Sequence, residues 1–214
     1  MRAIQYIPQG VLLAVVDPGV GTERKPIAIE TDWGVMIGPD NGLLNLACAT
    51  VGGAQRGFLL ENENWIIPSE GNTFHARDVF SPFAAGYASG QLAIEEFGSE
   101  LDLSNLNQYL IPLTEVTDNE IKGEILWVDH YGNCQTNISP EELSGLKKSI
   151  GDVINIKIGN DEMKTTWVDN YQGEYLGEVG LITDSWGMVS LFATNKNASS
   201  ILNIKDGAKI NFSI

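Results

Sequence analysis

The chain has 214 residues, 43% of them hydrophobic and 19% charged, and its 28 acidic side chains outnumber 13 basic ones to give a formal net charge of −15. A chain of this length buries about 70% of its unfolded surface, enough for one large core or two small ones, and the composition excludes a disordered, collagenous or coiled-coil protein. The surplus of acid argues against nucleic acid and anionic lipid as partners, since both attract lysine and arginine, and no apolar run approaches the ~18 residues of a membrane span.

The opening segment MRAIQYIPQG lacks the apolar stretch of a signal peptide, so the expected compartment is the cytoplasm. Val11–Val16 (VLLAVV) is a continuous apolar run and predicts a strand buried on both faces of a parallel sheet. It ends in Asp17-Pro18-Gly19-Val20-Gly21, a loop by its proline and glycine content. Pro26–Glu30 and Val35–Ile37 predict short strands, and Leu43–Val51 a short helix. Ser81-Pro82 reads as a cap followed by a first-turn proline, with Phe83–Glu96 continuing as a helix to Gly98.

The charge pattern then shifts. Residues 1–118 carry 15 acids and five bases, including all four arginines (Arg2, Arg24, Arg56 and Arg77). Residues 119–214 carry 13 acids and eight lysines, so this part offers no guanidinium clamp for a carboxylate or phosphate. Glu124–Val128, Val153–Ile158, Met188–Phe192 and Lys209–Phe212 are short apolar-rich runs separated by Gly, Asn and Asp, the spacing of a small sandwich or barrel. The expected organisation is an α/β domain over 1–118 and an all-β domain over 119–214, with the boundary in Pro112–Asp118.

Several loops could carry chemistry. Asp17 follows a strand candidate, where open α/β sheets place ligand sites, and Arg24 is close enough in sequence to fold back over it. The alternative is a tight turn with a surface ion pair. In Gly38-Pro39-Asp40-Asn41-Gly42, Asp40 or Asn41 is positioned to cap the following helix. His75, one of two histidines, sits in Thr73-Phe74-His75-Ala76-Arg77-Asp78 among hydrogen-bonding residues rather than on an apolar stripe. Asp129-His130-Tyr131-Gly132-Asn133 and Asp184-Ser185-Trp186-Gly187 read either as hairpin corners or as ligand loops. Cys48 and Cys134 are too few for a disulfide framework or a cysteine zinc site. The chain contains no GxxxxGK[ST], GxGxxG, GxSxG or HExxH, so neither a metal centre nor a nucleotide cofactor is expected.

In order along the chain, VVDPGVGTERKPIAIE, GPDNGLL, TFHARDVFSPFAA and VDHYGNCQTNI resemble the S-adenosyl-L-methionine hydroxide adenosyltransferases, hydrolytic relatives of the fluorinase and chlorinase. The resemblance runs from Val11 to the C-terminus and thins in the last third to Ser185–Gly187 and Asn197-Ala198. It implies a Rossmann-like N-terminal domain, a barrel-like C-terminal domain, and homotrimers with active sites between subunits. It implies attack of water or hydroxide on C5′ of S-adenosyl-L-methionine, which is a substrate rather than a cofactor, giving adenosine and methionine. The implied triad is Asp17, Arg24 and His75. The implied substrate contacts are Asp129 and Ser185 (methionine), Asn133 and the Asn197-Ala198 backbone (adenine), and Tyr131 as an aromatic lining residue.

Two departures from the family pattern bear on this reading. Halogenating relatives carry Tyr and Ser where this chain has His75 and Ala76, which favours hydrolysis over halogenation. Family members also begin with an additional strand, helix and strand that include a ribose-binding TDFG turn. This chain starts just before the third strand of that pattern, so it is expected to be weakly active or inactive and to leave a sheet edge uncovered. The alternative to a hydrolase is a nucleoside- or S-adenosyl-L-methionine-binding relative without turnover.

Overall fold

The computed structural model describes residues 3–214, and Arg2 lies outside them. The chain divides into two compact units, Met1–Leu110 and Ile111–Ile214.

The first unit contains β1 (Gly10–Leu13), β2 (Pro26–Thr31), β3 (Gly34–Pro39), α1 (Asn45–Thr50), β4 (Arg56–Leu59) and α2 (Ser81–Ala88). Its strands form one mixed sheet in the order β1-β3-β2-β4. β1 runs parallel to β3, with Val11 opposite Val35, whereas β2 is antiparallel to both β3 and β4. The short Asp32-Trp33 turn dictates the antiparallel pair, because a connection of two residues cannot return a chain parallel to itself. Thr31 Oγ1 accepts hydrogen bonds from the Trp33 and Gly34 amides and fixes that turn.

The run VLLAVV is therefore not a strand buried on both faces of a parallel sheet. Only Gly10–Leu13 is strand, it lies at the sheet edge, and Leu13 and Val16 are 40% and 64% exposed. The interior strands behave differently. Ile27, Ile29 and Met36 face α1, where Ala47 and Cys48 are buried. Ala28, Val35 and Ile37 face the other way, onto Phe80, Phe83 and Phe97. Period-two alternation thus gives this sheet an apolar layer on each side.

The second helix differs from the sequence expectation. Ser81 is not its cap: an i→i+5 turn over Ala76–Phe80 runs directly into Ser81, whose hydroxyl donates to the Ala76 carbonyl at 2.6 Å. Pro82 consequently lies inside a helical run, where its ring excludes a bond to the carbonyl four residues back. That carbonyl, on Asp78, accepts instead from the Ile67 amide at 2.8 Å. The helix ends at Ala88, well short of Gly98, as the chain turns through Gly90 at φ +72°.

The second unit contains β5 (Glu115–Val116), β6 (Glu120–Val128), β7 (Cys134–Thr136), α3 (Pro140–Gly145), β8 (Val153–Ile158), β9 (Asp161–Val168), β10 (Gly180–Thr183), β11 (Val189–Phe192), α4 (Ala198–Leu202) and β12 (Lys209–Ser213). Seven strands close into a barrel in the order β12-β8-β9-β10-β11-β7-β6, with β6 pairing back onto β12, and β5 adds to the outside of β6. Ile121, Ile125, Ile154, Ile156, Leu191 and Phe212 fill its core. All its pairings are antiparallel except β9–β10, where Trp167 lies opposite Leu181 in parallel register. α3 opens on a reciprocal cap in which Ser139 and Glu142 each bond the other's backbone amide.

Two glycine substitutions separate packing from helix propensity. A Cβ at Gly86 in α2 would lie 2.4 Å from the Trp65 ring, whereas one at Gly145 in α3 meets nothing within 4 Å. Alanine favours a helix by about 1 kcal/mol over glycine, but overpacking a core costs about 1–3 kcal/mol. Urea unfolding is expected to show Gly86→Ala destabilised by about 1–2 kcal/mol and Gly145→Ala unchanged or slightly more stable. Equal midpoints for the two variants would contradict this packing.

Candidate active site

β1 leads into a turn whose backbone reverses the chain. The Asp17 carbonyl accepts from Val20, and the Gly19 carbonyl accepts from both the amide and the hydroxyl of Thr22. Gly21 is required there: its φ is +79°, and a Cβ would lie 2.8 Å from the Asn72 carbonyl oxygen. The reversal carries Arg24 back onto Asp17. Arg24 Nε donates to Asp17 Oδ1 at 3.1 Å, and Nη2 donates to Oδ2, a two-point pairing of guanidinium and carboxylate. Only 7% and 5% of the two side chains is exposed.

The second hydrogen of Nη2 points to His75, at 3.1 Å from Nδ1. A guanidinium donates and never accepts, so Nδ1 is the acceptor and the neutral ring carries its hydrogen on Nε2, an assignment made from the partner. The Arg24 Cζ lies over the Phe80 ring, 5.2 Å from its centroid. Arg24 Nη1 is buried and has no hydrogen-bond partner. The structure thus brings His75, 51 residues on, to the Asp17–Arg24 pair and leaves one buried donor of a charged group unspent. The other polar residues of the His75 segment are used elsewhere. Arg77 donates to buried Asp78 at 2.9 Å and holds that carboxyl below its usual range.

Neither Asp40 nor Asn41 caps α1, which starts after Leu44 without a side-chain cap. Asn41 instead donates to the Val16 carbonyl at 2.9 Å and steadies the backbone beside Asp17. Buried Asp40 accepts from the backbone and side-chain amides of Asn107.

On the barrel, Asp129 organises its own loop. Its Oδ1 accepts from the Tyr131 and Asn133 amides, and its Oδ2 accepts from Asn133 Nδ2, all at 2.8 Å. This leaves Asn133 Oδ1 as the acceptor able to meet a ligand. Asn197 caps α4 through the Ser200 amide and lies against Gly132, where a Cβ would be 2.2 Å from it. Tyr131, Asn133 and Asn197 line a groove of about 750 Å³ with Tyr171, Phe192 and Thr194. Ala198 is fully buried and does not line the groove. Ser185 does not line the groove. It sits exposed in a turn organised by Asp184, which accepts from the Trp186 and Met188 amides and from Ser190 and Gln135.

The sequence reading did not single out Tyr171, Phe192 or Thr194. The ring of Tyr171 meets Phe192 edge-on at 5.1 Å, and Tyr175 holds the Thr194 amide at 2.9 Å. Burial raises the Tyr171 hydroxyl above its usual range, with the charges of Asp184 and Asp129 adding to the shift. Both thiols are inert: burial pushes Cys48 up to about 11 and Cys134 up to about 12. Among the described residues no group of three or more His, Cys, Asp or Glu side chains could hold a metal ion.

Comparison with known proteins agrees with the motifs. The family model of the SAM hydroxide adenosyltransferase N-terminal domain matches residues 1–98, and that of the C-terminal domain matches residues 123–211. The chain is 35% identical over 209 residues to an (R)-S-adenosyl-L-methionine hydrolase of Salinispora tropica, covering 98% of this chain and 77% of the relative. A protein of the same name from Thermus thermophilus is 33% identical over 219 residues, covering 98% and 78%. An uncharacterized conserved protein from Thermotoga maritima has a similar crystal structure, with a TM-score of 0.87 at 30% identity over 99% of this chain and 80% of that one. With both domain models and relatives of this similarity matched, the chain belongs to the SAM hydroxide adenosyltransferase family.

Proposed function

We propose that this protein hydrolyses S-adenosyl-L-methionine to adenosine and L-methionine, with Asp17, Arg24 and His75 at the reacting centre. The relatives that span nearly the whole chain are (R)-S-adenosyl-L-methionine hydrolases. The observation that carries the assignment of residues is the unspent Nη1 of Arg24, a buried cationic donor beside His75.

The chemistry asks little more of the protein. The C5′ carbon is activated by its own sulfonium, and the leaving group is the neutral thioether of methionine, so no general acid is needed. One C5′–O bond forms, the C5′–S bond breaks, and the water releases a proton to solvent. The site must hold an oxygen nucleophile in line with the breaking bond and stabilise negative charge on it. Arg24 Nη1 and the Nε2–H of His75 are two donors suited to that oxygen. Since Nδ1 is engaged by Arg24, His75 acts as a donor to developing hydroxide rather than as the base that forms it. Asp17 pairs with Arg24 at two points and orients it. No step calls for a metal or redox cofactor.

In this reading the mixed sheet, with its β1–Asp17 loop, belongs to a Rossmann-like catalytic domain, and the barrel domain binds the substrate. Asn133 Oδ1 accepts from the adenine amino group, Tyr131 and Asn197 border the ring, and Asp129 and Ser185 serve the methionine portion. The enzyme is a homotrimer with each site completed between subunits, as the family resemblance implies. It works in the cytoplasm, where its two free, buried thiols stay reduced.

Turnover in ¹⁸O-labelled water is expected to place label in the 5′-hydroxyl of adenosine, with EDTA having no effect. His75→Ala or Arg24→Ala is expected to lower kcat by roughly two to three orders of magnitude. Unlabelled adenosine, loss of turnover in EDTA, or an undiminished His75→Ala rate would each contradict the mechanism.

The groove gives a separate test. Gly132→Ala imposes a side chain at φ +87° and displaces Asn197, so KM is expected to rise about tenfold while kcat changes little. An unchanged KM would remove the groove from the substrate site. Light scattering is expected to return three times the chain mass, and a monodisperse monomer would overturn the trimer.

A further inference from the structure

We propose that Phe80 is a positioning residue for the reaction, holding the Arg24 guanidinium in the orientation that presents Nη1 to the nucleophile. This rests on the reading of Asp17, Arg24 and His75 given above.

The hydrogen bonds of the guanidinium all sit on Nε and Nη2. Both meet Asp17, the second hydrogen of Nη2 meets His75, and Nη1 meets nothing. In-plane bonds of this kind resist sliding of the group more than tilting of its plane, and tilting moves the unbonded corner, Nη1. The Phe80 ring, with the Arg24 Cζ lying over it 5.2 Å from its centroid, is packed where it limits that motion. Phe80 is fully buried, so no water replaces it when the plane moves. The contact is attractive as well as restrictive, because a desolvated cation is drawn to an aromatic face.

The backbone is shaped for this contact. In an α-helix residue 80 would stand about 140° around the axis from residue 75, on nearly the opposite side. The wider i→i+5 turn over Ala76–Phe80 brings the two residues toward a common face. His75 then meets Nη2 of Arg24 while the Arg24 Cζ lies over the Phe80 ring. Such turns are uncommon and concentrate at functional sites. Here the turn aims two side chains of one segment at the same guanidinium.

A core phenylalanine also contributes stability, so the test must separate the two roles. Phe83 is a suitable control. It is fully buried in the same apolar cluster, and its ring meets Phe97 edge-on at 5.2 Å. Phe80→Leu, Phe80→Tyr, Phe83→Leu and Arg24→Ala would be compared by kcat and KM for S-adenosyl-L-methionine. They would also be compared by the ¹⁵N-arginine side-chain NMR signals, with Arg24→Ala assigning the Arg24 set.

Phe80→Leu is expected to lower kcat about ten- to thirtyfold with KM little changed, and to shift or merge the Arg24 Nη signals. Phe80→Tyr, which keeps the flat face, restores most of both, and Phe83→Leu keeps the wild-type kcat and Arg24 signals. Should Phe80→Leu not fold, Phe80→Met removes the ring in its place, with the same expectation. The proposal is overturned if the variant without the ring turns over like wild type, if its Arg24 signals do not move, or if Phe83→Leu loses as much kcat. If Arg24→Ala keeps full turnover, the reading of the site is at fault, and the role of Phe80 in turnover falls with it. In that case the NMR comparison still reports independently whether the ring holds the guanidinium.

Discussion

A guanidinium almost entirely removed from water is compensated here by a carboxylate of the same loop that meets it at two points. Burying either ion alone would cost several kcal/mol, and removing one partner of such a pair typically costs about 3–5 kcal/mol. The loop has little freedom to satisfy this demand. Pro18 and three hydrogen bonds reverse the chain within Asp17–Thr22, and Gly21 passes so close to Asn72 that no side chain fits between. Asn41 adds a bond to Val16 from the neighbouring loop. The pair is therefore built by local geometry, and the rest of the first unit holds that geometry in place.

The sheet does so through its two apolar layers. Alternate residues of β2 and β3 face opposite ways, so the phenylalanines around α2 cover one side and α1 the other. α2 begins on the turn that carries His75 and Phe80, and this joins the segment around Arg24 to the packed layer. The barrel solves a different problem. Asp129 and Asp184 each gather the backbone amides of their own loops, so the rigidity of those loops comes from carboxylates rather than from strands.

The resemblance of the DPGVGTER and TFHARD segments grouped Asp17, Arg24 and His75 as one candidate site, and the fold brings the three side chains into contact. The strands β2, β3, β8, β11 and β12 were legible from apolar runs. β4, β7, β9 and β10 were not. Asp161–Val168 is polar along much of its length because much of it faces outward from the barrel, and Cys134–Thr136 is too short to show a period. VLLAVV misled for a related reason: hydrophobicity reports a preference for burial, but the number of neighbouring strands decides whether burial occurs. The aromatic face under Arg24 was hidden because Pro82 after Ser81 reads as a helix start, while the chain enters the helix five residues earlier through a wider turn. Tyr171 and Thr194 lie in loops whose composition gives no sign of what they face.

One feature of the barrel bears on how such a site can change over time. β9 and β10 are parallel neighbours, so the segment between them must travel back along the length of the barrel before β10 begins. That return path is a topological necessity, and it carries Tyr171 to the groove and Tyr175 to the amide of Thr194, which lines it. Strand register is set by the barrel pairings and is indifferent to what the returning segment contains. Insertions, deletions and exchanged aromatics can therefore accumulate there and remodel one wall of the groove, while the wall built by Asp129 and Asn197 stays fixed. Ligand preference in this architecture can drift through a segment that folding obliges the protein to keep but does not oblige it to conserve.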